Sequence, residues 1–291
     1  MLRYNGFSFT RHFTLSMPGP LPYSIAALLY AALAFAFWRA NWAGGNTASG
    51  TGWQPLARVA ILIPLGLHAW LLVAGSWGAQ EIGIGVGQAL SAIAWLALTI
   101  YALSSLRQPV DALTAVILPV AALAVLLPLI LPERPVQLTT TPLLLAHLAM
   151  AFLAYALFTI AALHAGVMSL LEKRLHAHAV HSAVAKFPPL LTLEKLLFTI
   201  IGIGFVLLTL ALVSGILFSE QVFGKPFSFA YFTQHKTVFA LLSWLIYAGL
   251  LLGRQIYGWR GRTAIAWSLT GFAMLVLAYL GSKVALQLLG R

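Results

Sequence analysis

Residues 141–172 read TPLLLAHLAMAFLAYALFTIAALHAGVMSLLE, with no acidic or basic side chain until Glu172 and two histidines, His147 and His164, set among apolar residues. At 1.5 Å per residue such a run outreaches a hydrocarbon core of about 30 Å. It therefore reads as a membrane-crossing helix, long enough to tilt or to project. Pro142 suits its first turn, where a missing N–H costs nothing. Outward from it, the same pattern predicts spans at Leu21 to Trp38, Ala57 to Trp77, Ile84 to Leu106, Ala112 to Leu131, Leu196 to Ser219, Thr237 to Gly253 and Thr263 to Leu286, with Thr141 to Leu171 as the fifth. The predicted fold class is all-α, a polytopic membrane protein with a bundle of eight transmembrane helices, because a helix satisfies its own backbone in lipid and no segment shows the alternation of barrel strands.

Composition points the same way. Hydrophobic residues make up 61% and charged residues 8% of 291, more apolar surface than one soluble core could hide. The domain reading is an N-terminal extension over 1–20 and a single transmembrane domain over 21–291. Within the extension, MLRYNGFSFTRHFTLS precedes a second methionine, Met17, and reads as an upstream start. The first apolar run is followed by Trp38, Arg39 and Asn41 rather than by a small-residue cleavage site, so it reads as a retained helix. AGGNTASGTG, after Trp42, reads as a linker.

The formal charge of +11 is spread over span ends, not gathered into a nucleic-acid footprint. One side of the alternating topology receives Arg39, Arg58, Arg107, Lys173, Arg174, Lys186, Lys195, Arg254, Arg260 and Arg262. The other receives Arg134, Lys225, Lys236, Lys283 and Arg291, with Arg3 and Arg11. The positive-inside rule makes the first side cytoplasmic and puts both termini outside. With no cysteine, the chain carries neither a disulfide nor a motif for covalent haem attachment.

An ionisable side chain at bilayer depth usually faces the bundle interior and has a partner. His68, in ARVAILIPLGLHAWLLVAGSW, lies about 15 Å from Arg58 along an ideal helix, near the bilayer centre. His147 lies about 8 Å below the outer edge of its helix, and His164 toward the other end. His235 heads the seventh helix on the side of His147 and could approach it. Neutral histidines hydrogen-bonded to a neighbouring helix explain the same residues without a ligand. His176, His178 and His181 in EKRLHAHAVHSAVAKF could be metal ligands, or a basic surface facing headgroups. Trp38, Trp42, Trp53, Trp77 and Trp259 read as interface anchors.

The 141–172 segment is similar to a helix of the CcsA-type cytochrome c assembly family, which has a histidine at its outer end followed by a Tyr-Ala pair, here Tyr155 and Ala156. Residues 234–283, QHKTVFALLSWLIYAGLLLGRQIYGWRGRTAIAWSLTGFAMLVLAYLGSK, resemble the family stretch from its Trp-rich haem-presenting loop through the GWRGR turn. With PLGLHAWLL around His68 the resemblance runs from about Ala57 onward, closest to the compact YpjD/HemX-like inner-membrane members. It implies non-covalent haem b, with His147 resembling the outer ligand to haem iron and His68 the intramembrane one.

Where the family loop ends in Asp-Pro-Lys, this chain reads Tyr231, Phe232, Thr233, Gln234, His235 and Lys236; the lysine and Trp244 survive. The family's partner histidines, before GWRGR and near the chain end, are absent. His235 is the candidate from this sequence for a second outer ligand, and His164 could face the cavity of His68. Arg254, Arg260 and Arg262 could attract haem propionates, or simply mark a cytoplasmic loop.

The implied function is a haem-binding or haem-handling inner-membrane protein that assists cytochrome c biogenesis. Its expected surroundings are membrane lipid and other cytochrome c assembly proteins, with no nucleic acid. Without a nucleophile constellation, carboxylate pair or phosphate loop, the chain is not expected to be an enzyme. A haem-free transporter, or a regulatory or assembly subunit on the same fold, is the alternative.

Overall fold

In a computed structural model the described residues are 18–42, 53–76, 81–105, 111–131, 136–139, 141–176, 189–217 and 235–281. They form helices α1 (Pro20–Trp42), α2 (Trp53–Ala60), α3 (Leu62–Ser76), α4 (Val86–Ser105), α5 (Asp111–Ala124), α6 (Leu127–Ile130), α7 (Pro142–His176), α8 (Leu190–Leu217), α9 (His235–Tyr257) and α10 (Gly261–Val276), with a π turn at Leu277–Gly281. Strands β1 (Glu81–Ile84) and β2 (Val136–Thr139) pair antiparallel, Glu81 opposite Thr139 and Ile84 opposite Val136. Among the described residues eight helical segments are long and apolar enough to cross a membrane, α2 with α3, α5 with α6, and α10 with the π turn each making one. Prolines explain two of the breaks: Pro64 cannot donate to the Ala60 carbonyl, nor Pro128 to that of Ala124, so the chain turns at Ile61 and at Val125–Leu126.

Over the described residues all eight predicted spans are found, except that Ile84, predicted to open the third, lies in β1, and that two others run further than predicted. The sixth helix starts at Leu190, not Leu196, so Glu194 and Lys195 lie inside it, and the seventh runs on to Tyr257, so Arg254 does too. The ribbon was not expected; it ties the α3–α4 connection to the α6–α7 connection at the end of the bundle that carries His147. That end is called the ribbon end below, and the opposite one, with Arg39, Lys173 and Arg254, the basic end.

Helix α7 is the shared wall of the molecule. Ala154, Phe158, Ala161, Ala165 and Met168, at helical spacing, enter a core with Leu193, Leu197 and Ile201 of α8, Tyr247 and Leu250 of α9, and Leu275 of α10. Ala156 and Ile160, on another face, close a second core with Tyr30 and Phe37 of α1, Leu65 of α3, Ile93 and Leu98 of α4, and Leu118 of α5. Phe158 stacks on Tyr247 with ring centroids 4.0 Å apart, and Tyr247 donates to the Ser268 carbonyl at 3.2 Å. Leu28, Leu62, Leu123, Leu170, Leu217 and Leu245 point outward, as lipid-facing residues should.

Candidate functional site

At the ribbon end, His147 of α7 is half-buried and its Nδ1 lies 2.9 Å from Ser214 Oγ of α8. The Ser214 hydroxyl has one proton, and it goes to the Ala211 carbonyl at 3.0 Å. Ser214 Oγ is then the acceptor, His147 Nδ1–H the donor, and Nε2 carries the imidazole lone pair. Ligating histidines in metal proteins commonly have their tautomer and ring angle fixed in this way by a bond at the other nitrogen. Gly215 lets the ring lie close: a Cβ there would be 3.2 Å from His147 Cε1.

Around this pair the ribbon end gathers a cation and two phenols. The positive charge of Lys236, at the start of α9, acts on His147 through space, and its ammonium sits 5.5 Å from the centre of the Tyr279 ring in a cation–π arrangement. Tyr279 belongs to the π turn and meets Tyr155 of α7 edge to face, with centroids 6.3 Å apart. Imidazole, ammonium and aromatic faces suit a flat apolar ligand with a metal centre and anionic groups, so the residues present fit haem at His147. His235 opens α9 one residue before Lys236, and its side chain lies outside the described residues.

His68 is arranged differently. It is fully enclosed, with Nε2 2.8 Å from Ser91 Oγ of α4 and Nδ1 3.4 Å from the Tyr30 hydroxyl of α1. Both ring nitrogens are engaged, and iron could reach one only by displacing a hydroxyl in a closed core. As arranged, His68 is a hydrogen-bonded node joining three helices and does not fit an axial ligand. His164 is buried in α7, and its Nε2 has no hydrogen-bond partner among the described residues. His176 ends α7 with its side chain outside the described residues, as are His178 and His181; among the described residues no three His, Cys, Asp or Glu side chains cluster for a metal ion.

The three arginines around GWRGR part company. Glu194, itself buried, takes Arg254 NH1 at 3.2 Å and Arg260 Nε at 3.7 Å, while the Arg254 guanidinium also covers the Phe198 ring at 3.7 Å. Arg262 instead lines a cleft between α7 and α10. Gly258 and Gly261 have φ of 65° and 53°, left-handed values that let the α9–α10 turn reverse within three residues. Sequence reasoning missed Ser214, Ser91 and Tyr30, because hydroxyls are common in membrane helices and only the helix rotations reveal which histidine each one meets.

The family model described as "Cytochrome C assembly protein" matches residues 53–289, seven of the eight spans. The inner membrane protein YpjD of Escherichia coli K12 is 31% identical over 246 residues, 82% of this chain and 89% of that protein. The cytochrome c biogenesis protein CcsA of Thermosynechococcus vestitus is 36% identical over 90 residues, 31% of this chain and 27% of that protein. The protein of the same name from Synechocystis is 30% identical over 118 residues, 40% and 34%. The chain belongs to the cytochrome c assembly protein family.

Proposed function

We propose that this chain binds haem b non-covalently at the ribbon end through His147 and works as a haem-handling subunit of cytochrome c biogenesis, without a catalytic step of its own. The observation that carries this reading is the His147–Ser214 pair, which presents a neutral imidazole with Nε2 as its basic nitrogen in a half-buried, aromatic setting. Lys236 and Tyr279 would face the anionic groups and the ring. Bound haem supplies a one-electron iron centre. The protein's part is to hold and orient it.

The charge bias along the chain supports an inner-membrane, multi-pass topology with the ribbon end and both termini outside. Lipid and other assembly proteins are the partners this placement calls for. The test is the reduced-minus-oxidised visible spectrum of protein purified after growth with ample haem. A Soret and α-band signal lost on His147→Ala is expected; a featureless wild-type spectrum would overturn the reading. The alternative, a haem-free transporter or assembly subunit, draws on His68, whose two engaged nitrogens leave the intramembrane position without a ready ligand. That alternative predicts the featureless spectrum, together with partner assembly that survives His147→Ala.

A further inference from the structure

The basic end holds a cleft of about 660 Å³ between the last turns of α7 and the first turns of α10. Its rim is polar: Ser169, Glu172 and Lys173 from α7, and Arg262 from α10. Its wall is apolar, with Ile265 and Leu269. From Arg262 to Leu269 the helix descends about 10 Å, the distance from a headgroup into the acyl layer. Lys173 closes the candidate span of α7 and Arg262 lies in the first turn of α10, so both cations stand where a bilayer surface meets the protein.

We propose that this cleft is a binding site for one phospholipid, its phosphate between Lys173 and Arg262 and an acyl chain along Ile265 and Leu269. Arg262 suits that role because Glu194 engages Arg254 and Arg260 but not Arg262. The N-terminal N–H groups of α10 reinforce the pull on a phosphate. Glu172 on the same rim favours a headgroup that carries an ammonium, as in phosphatidylethanolamine, over one with a second negative charge. Haem is the poorer match, since among the described residues no histidine lines the cleft and a second propionate would meet Glu172. A soluble phosphate leaves the apolar wall uncovered.

The experiment is native mass spectrometry of the full-length protein in detergent with phosphatidylethanolamine, phosphatidylglycerol, inorganic phosphate or hemin added in turn. One phosphatidylethanolamine adduct is expected, weakened about tenfold or more by Lys173→Ala with Arg262→Ala and kept by Lys173→Arg. Leu269→Trp, which fills the wall without touching charge, should displace the lipid as well and serves if the double variant does not fold. The Soret signal should stay unchanged, because the cleft lies at the opposite end from His147, and in lipid-free detergent the melting midpoint should stay close to that of wild type. Lipid retention equal to wild type in both the double variant and Leu269→Trp, or an adduct formed by hemin or inorganic phosphate in place of lipid, would overturn the proposal.

Discussion

The Ser214 hydroxyl on α8 meets Nδ1 of His147 on α7 at 2.9 Å, and its own proton is committed to the Ala211 carbonyl at 3.0 Å. Ser214 therefore sets the tautomer of His147. Ser214→Ala should leave the fold nearly intact, at a cost of about 1 kcal/mol for one hydrogen bond, yet weaken haem binding by about 10–100-fold, the usual weight of a partner behind a ligating histidine. Hemin titration followed at the Soret band measures this. A variant that titrates like wild type would show that Ser214 does not orient the ligand.

His68 makes the opposite prediction. His68→Ala strands Ser91 Oγ and the Tyr30 hydroxyl in an apolar core and opens a cavity, so thermal stability in detergent should fall by about 3–5 kcal/mol. Haem recovered per folded protein should not change. Tyr30→Phe removes only the longer bond and should cost about 1 kcal/mol. If His68→Ala loses haem while remaining folded, the closed arrangement described here is not the one that binds it.

The spans were legible because apolar length alone decides them, and His147 stood out because an ionisable group in such a run needs a reason. Other features depend on partners far along the chain. Glu194 looked like loop because a carboxylate is costly in a span; Arg254, sixty residues later, removes that cost and lets α8 begin at Leu190. EIGI and VQLT are too short and too ordinary to announce strands, and pair only because the bundle brings their connections together. In sequence His68 and His147 both read as candidate haem ligands. Helix rotation separates them, closing one between two hydroxyls and leaving the other half-open beside Lys236.

Gly87 tests how closely the helices approach. A Cβ at Gly87 would stand 2.5 Å from the Leu127 carbonyl oxygen and 3.0 Å from Pro128 Cα, both backbone atoms that cannot swing aside. Gly87→Ala should therefore destabilise by about 1–3 kcal/mol. Gly66→Ala, with nothing within 4 Å, should be neutral or stabilising by about 0.5–1 kcal/mol. Equal melting midpoints for the two variants would contradict the close crossing of α4 and α6.

The absence of native cysteine makes orientation directly measurable. A single cysteine replacing Gln137, in β2, should react in whole cells with a membrane-impermeant maleimide, and one replacing Asn46, between the first two spans, should react only after lysis. The reverse pattern would place the ribbon end in the cytoplasm and overturn the charge-based topology.

Glu194 anchors the α9–α10 turn to α8. Its side chain is 10% exposed, against 30% for Arg254 and 66% for Arg260, so the inner pair carries most of the interaction and the outer one is screened by water. Glu194→Ala leaves Arg254 partly buried over the Phe198 ring without its carboxylate, and should cost about 2 kcal/mol. Glu194→Gln keeps the shape and one neutral acceptor and should cost about half as much. Arg260→Ala should fall within about 0.5 kcal/mol of wild type. Thermal unfolding in one detergent at low and high salt separates the cases: a loss for Glu194→Ala that persists in high salt marks a buried pair. A loss that salt abolishes would mean that water, not Glu194, is the main partner of Arg254, and that the turn is held by the packing of Trp259 on Trp267 instead.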